Sequence, residues 1–120
     1  MSTAKTPAQK LRISNDPMYQ LLRDGAIKEF NSKKAAGQSC ELRCCDFRGL
    51  DLRGLDAAGL DFSDSYFRQT DLRGVDFREA NLEGASINNA QVSGAYFPLA
   101  LSAEEIQLSL QHGTRMRYTK

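Results

Sequence analysis

Between residues 40 and 99 one central position recurs every five residues: Leu42, Phe47, Leu52, Ala57, Phe62, Phe67, Leu72, Phe77, Leu82, Ile87, Val92 and Phe97. Twelve such positions pass without an insertion, and eleven of them are large and apolar. A strand repeats at about two residues and a helix at about 3.6, so neither produces this beat. On a helix, a spacing of five would walk the apolar residues around the surface.

Two further series run beside the first. Two residues before each centre stand small or moderately apolar residues, from Cys40 and Cys45 through Leu50, Leu55 and Leu60 to Ala85, Ala90 and Ala95. Between them runs a polar series that includes Glu41, Asp46, Asp51, Asp56, Asp61, Asp71 and Asp76, with Tyr66 and Tyr96 as aromatic exceptions. Apolar, polar, apolar is a short strand with two side chains turned in and one out. Gly follows two after the centre six times, at 49, 54, 59, 74, 84 and 94, where a tight corner calls for positive φ. Four strand-plus-corner units close a four-sided coil of 20 residues, and such coils stack at about 4.8 Å as a β-solenoid. Twelve repeats make three coils, on the order of 14 Å of stack. Residues 20 apart then share a side, and the eleven apolar centres form the core. Ala57 interrupts its column and leaves room for Phe77 or for a side chain of an end cap.

The fives "CDFRG", "LDLRG", "LDFSD", "TDLRG", "VDFRE" and "ANLEG" resemble those of the pentapeptide-repeat proteins. The resemblance covers residues 40–99 and implies a right-handed quadrilateral β-helix.

Coil ends expose unpaired strand edges, so the flanks are expected to cover them. Ahead of the repeats, Asn15 or Asp16 precedes Pro17 as a helix start, and Met18, Leu22, Ala26 and Phe30 make an apolar stripe. Asp24-Gly25 divides this cap (15–39) into helices over 17–24 and 26–35, ending at Gly37. The stretch "LLRDGAIKEFN" also resembles the helical leader of some family members, with Phe30-Asn31 in place of a more usual Trp-Asn pair. Behind the repeats, residues 100–120 hold a capping box, Ser102 with Glu105, and a helix that Gly113 stops after His112. Ala103, Ile106 and Leu110 face the last coil. Leu99, Leu101 and Leu108 are left over as a candidate dimer contact, unless the tail "TRMRYTK" folds back over them. Residues 1–14 are expected to be a mobile basic tail.

Composition narrows the function. The chain has 120 residues, 41% of them hydrophobic, and a net charge of +1, which gives no overall case for nucleic acid or membrane. No apolar run approaches a membrane span of roughly 20 residues, and "MSTAKTPAQK" lacks the apolar core of a signal peptide. Three cysteines in "CELRCC" make no disulfide framework, so a cytoplasmic setting is expected. Charge is unevenly spread: residues 1–39 are at +4, residues 40–99 at −4 and residues 100–120 at +1.

Catalytic chemistry finds little footing. His112 is the sole histidine, at a helix end, and the repeated aspartates recur as a structural position. C-x3-C-C lacks a fourth zinc ligand; Cys40 and Cys45 read as inward, and Cys44 as a corner thiol open to oxidants. The glycines lack the strand–loop–helix context of a phosphate loop. No enzyme activity, metal or cofactor is expected. The arginines allow two readings: an Asp–Arg lattice that satisfies itself, or a recognition face in which Arg48, Tyr66 and Arg68 engage a protein partner. Tyr66 favours the second, because Tyr is enriched at interfaces. Direct nucleic-acid binding is disfavoured by the acidic repeats. The expectation is a non-enzymatic binding module or scaffold for an unidentified protein, with a homodimer through the C-terminal helix as a further partner. The family resemblance implies an alternative, a DNA-mimicking modulator of DNA gyrase, although six arginines interrupt the acidity here.

Overall fold

The computed structural model describes residues 14–119; the expected basic tail lies, but for Ser14, outside the described residues. From residue 40 the chain returns upon itself every 20 residues. Asp46 bridges Tyr66 and Tyr66 bridges Ser86; Asp51, Asp71 and Gln91 repeat the relation, as do Asp61 with Asn81 and Asp76 with Tyr96, all in parallel. Each polar residue spans its tier pair twice: Tyr66 N donates to Cys45 O at 3.0 Å and Tyr66 O accepts from Phe47 N at 2.8 Å. These contacts are isolated bridges, and among the described residues no longer strand is formed. A three-residue side leaves space for only one bridge before the next corner. We call residues 40–59, 60–79 and 80–99 the three tiers, and number the four five-residue sides of each in chain order.

From Phe47 to Val92 the corners close by a hydrogen bond from the residue three after the centre, such as Val75 N to Leu72 O at 3.1 Å. The residue two after the centre takes positive φ at the six glycines and also at Cys44, Asp64, Gln69 and Asn89 (φ 56 to 59°). The polar residue locks the corner further, because its side-chain oxygen accepts the N–H two residues on, as Asp76 does from Arg78 at 3.0 Å.

Inside, the centres from Leu42 to Ile87 are buried, Ala57 included. Phe47 stacks on Phe67 at 5.0 Å and 7°, while Phe62 meets both edge-on at 5.5 and 5.4 Å. Each such large side chain removed from water contributes on the order of 1.5–3 kcal/mol. Val92 and Phe97 depart from the expected core: both are only half-buried, because the last tier has a neighbouring tier on one side alone. The inward series also carries hydroxyls. Ser65 and Thr70, fully buried, donate to Leu42 O and Phe47 O, each at 2.7 Å, and so satisfy carbonyls of the tier before.

The first tier is covered by helices α1 (Pro17–Arg23) and α2 (Ile27–Ala35). Asp16 caps α1 through Met18 N and, with its other oxygen, accepts Glu41 N at 2.7 Å. Asn31 acts as a substitute strand: its amide nitrogen donates to Gly54 O and its oxygen accepts Asp56 N, both at 2.9 Å. The adjacent Phe30 is fully buried and belongs to the core.

The last tier is covered by α3 (Ala103–His112) and the tail behind it. Ser102 caps α3 as expected, at 3.2 Å from Glu105 N, but Glu105 turns away to bind Arg117 at 2.7 Å. Ala103 is exposed and Ile106 and Leu110 are half-buried. The buried helix residue is Ser109, whose hydroxyl accepts Ile87 N and donates to Thr114 O. The tail folds back: Gly84 N donates to Met116 O, Met116 N to Ala85 O, and Met116 is fully buried. The dimer candidates differ in exposure. Leu101 is 6% exposed and belongs to the core, whereas Leu99 (98%) and Leu108 (40%) stay at the surface. Among the described residues no helix is long and apolar enough to cross a membrane.

Candidate functional site

The recurrent unit behind the surface is an acid followed two residues later by arginine. Glu41–Arg43, Asp46–Arg48, Asp51–Arg53, Asp71–Arg73 and Asp76–Arg78 all close as ion pairs of 2.7–2.8 Å. Both members lie on one side, and the acid's fixed corner geometry presents its oxygens to the guanidinium. Arg53 also reaches Asp71 in the next tier at 3.3 Å. Donation by Arg53 and Arg78 lowers Asp51 and Asp76 from 3.8 to about 2. Carboxylates held this firmly ionised make poor proton acceptors at neutral pH.

One arginine escapes the pattern. Tyr66 stands where the acid of Arg68 would be, and among the described residues Arg68 makes no ion pair. Tyr66 also cannot supply the corner hydrogen bond that an aspartate gives. Arg68 is exposed, Tyr66 half-buried, and Arg48 with its partner Asp46 completes the same side. The structure therefore brings all three candidate residues together, with one guanidinium held and one unclaimed.

Charge distribution isolates that side. The second side carries Asp46, Arg48 and Arg68, a net +1. On the first, Glu41, Asp61, Asp64 and Glu83 outweigh Arg43 for a net −3. The third balances Asp51 and Asp71 against Arg53 and Arg73, and the fourth, with Asp56, Asp76 and Glu79 against Arg78, is at −2. Asn88 and Gln69 flank Arg68 with further polar groups.

Tyr96 is an exposed aromatic that the sequence reading passed over as a site. It is 56% exposed, and Arg78 lies over its ring at 4.6 Å. The signal was available: Tyr96 is the second aromatic of the polar series.

Elsewhere the surface holds less chemistry. A groove of about 590 Å³ opens where the α1–α2 turn meets the first tier, lined by Ile27, Lys28, Glu29, Asp51, Arg53 and Gly54. Asp51 and Arg53 are engaged with each other there, and no Ser, Thr, Cys or His lines it. Among the described residues no group of three or more His, Cys, Asp or Glu could hold a metal ion. Cys45 is buried, Cys40 is half-buried and packed against the core, and Cys44 is half-buried at its strained corner. Burial raises the Cys40 thiol above its ordinary range.

Comparison with known families finds pentapeptide repeats, eight copies, over residues 38–69 and 61–97. Neither the curated proteins nor the solved structures contain a match to the chain.

Proposed function

We propose that this chain, which belongs to the pentapeptide-repeat family, is a non-enzymatic binding module that engages an acidic segment of a partner protein through Arg68, Tyr66 and Arg48. The fold we assign to it is a right-handed quadrilateral β-helix of three coils, capped by helices at both ends. Parallel bridges at a spacing of 20 and a corner after every fifth residue support that assignment.

The observation that carries the functional reading is the broken unit at Tyr66–Arg68. Five repeat arginines are neutralised by their own acids, and the sixth is left without one by a tyrosine that gives its corner nothing in return. A local rule broken without structural gain marks a position held for another purpose. Tyr and Arg are also the residue types that dominate interface energetics. A carboxylate or phosphate on the partner would complete the missing pair on the one repeat side of net positive charge. The setting we propose is the cytoplasm, in keeping with a cluster of three cysteines, an odd number that makes no disulfide framework. Exposed Leu99 and Leu108 leave a homodimer through the C-terminal end open as a way to double the rod. Nothing in the charge distribution favours the DNA-mimic alternative, since the acidity is confined to two sides.

Affinity capture from the native cells tests the reading, with a Tyr66→Ala/Arg68→Glu chain as control bait. The expected result is one protein retained by the wild type and lost by the variant, a loss of at least about 2 kcal/mol or roughly thirtyfold in Kd. Equal recovery by both baits would remove this side from the function.

A further inference from the structure

The last tier is closed on half of its edge only. Along its first two sides the ladder groups are met by the tail and α3: Gly84 N by Met116 O, Ile87 N by Ser109 Oγ, Asn89 N by Leu110 O. Along its third and fourth sides, Val92 N, Gly94 N and Phe97 N have no hydrogen-bond acceptor among the described residues, nor has Ala90 O or Ala95 O a donor. The equivalent groups one tier earlier are all engaged: Leu72 N donates to Gln91 O, Thr70 O accepts Gln91 N, Gly74 N donates to Ser93 O, Phe77 N to Tyr96 O, and Val75 O accepts Tyr96 N. The open edge therefore repeats a row that elsewhere receives a strand.

Its chemistry is as distinctive. From Gly84 to Ala103 the sequence contains no charged residue, whereas the two tiers before it carry charge on every side. Exposed edges are ordinarily guarded by charge or proline; Pro98 follows this one, but no charge guards it. Exposed Leu99 and Tyr96 and half-buried Val92 and Phe97 give it an apolar margin.

We propose that this edge is a second binding surface, which takes an extended, uncharged peptide segment of a partner as an added strand. The chain already uses that mode on itself, since the tail adds Met116 to the first side. A single strand fits better than the flat end of a second copy. Helix α3 and the tail already occupy the end of the last tier at Gly84, Ile87 and Asn89, where a second tier would have to pair, whereas an extended segment can lie along the two open sides. The surface is independent of the Arg68 side, and the two stand or fall separately.

The probe is a synthetic peptide of residues 89–98, the uncharged stretch that the second tier receives in this same relation. Titrated into the full chain, it should bind and slow hydrogen exchange at the Val92, Gly94 and Phe97 amides. Methylating the peptide's backbone nitrogens at Gln91 and Tyr96, which would donate to Ala90 O and Ala95 O, should weaken binding by roughly tenfold or more. An Arg68→Glu chain should bind the peptide unchanged. Absence of binding, binding that leaves those three amides unprotected, or indifference to methylation would each overturn the proposal. Slow exchange at the three amides before any peptide is added would overturn it too, because the edge would then already be covered.

Discussion

Gln69 shows how much one residue carries in a fold built from fives. Its φ of 58° places an ordinary side chain in the left-handed region, where six of its counterparts are glycine. Its N–H still donates to Asn88 O, so the corner is intact and only the conformation is costly. Gln69→Gly should raise stability by about 1 kcal/mol, read from the denaturant midpoint; a fall would mean the side chain makes a contact that outweighs its strain. The acid–arginine pairs have their own signature. Asp51 and Asp76 ionise at about 2 when folded and at 3.8 when released, because Arg53 and Arg78 donate to them. The unfolded chain therefore takes up protons first. Their contribution is intact above about pH 4 and lost as pH falls through about 2. Thermal melts across that window should drop more steeply for the natural chain than for an Asp51→Asn/Asp76→Asn variant.

At the scale of the element, the columns and caps separate what the sequence could tell from what it could not. The core positions were legible, because a five-residue apolar spacing fits neither a single strand nor a helix, and so was the helix start at Ser102, whereas Asn15 and Asp16 could not be told apart before the structure showed Asp16 as the cap. The roles of Ser65 and Thr70 were not. An inward hydroxyl looks like a small filler until the carbonyl it serves, one tier back, is located. Glu105 looked like half of a capping box and instead pairs with Arg117, twelve residues on, since only the folded-back tail brings the two together. Leu101, a candidate surface residue by sequence, is instead buried in the core. The candidate side was legible as Arg48, Tyr66 and Arg68, but only the ion-pair geometry distinguished the held guanidinium from the unclaimed one. Two outcomes test the columns and caps. Phe67→Asp puts a charge between Phe47 and Phe77 and should abolish cooperative melting. Removing residues 100–120 uncovers the ladder groups at Gly84, Ile87 and Asn89 and should produce aggregates on gel filtration. A cooperatively melting Phe67→Asp chain or a monodisperse truncation would contradict the packing described here.

Across the molecule, charge is cancelled selectively: five of the six repeat arginines are paired with their own acids. A stack of near-identical repeats would present the same surface on every side, and differences in function must come from places where the repeat is broken. Two breaks stand out: Tyr66, which leaves Arg68 without an ion pair among the described residues, and the last tier, uncharged from Gly84 on, with its half-open edge. Between them the other repeat arginines are held by their own acids, and the first and fourth sides keep a net negative charge. The most direct test compares single charge reversals on three sides in the same capture experiment: Arg68→Glu on the second, Arg73→Glu on the third and Arg78→Glu on the fourth. The account predicts that only Arg68→Glu loses the partner. Equal loss from all three, or loss from Arg73→Glu or Arg78→Glu with Arg68→Glu unaffected, would contradict it.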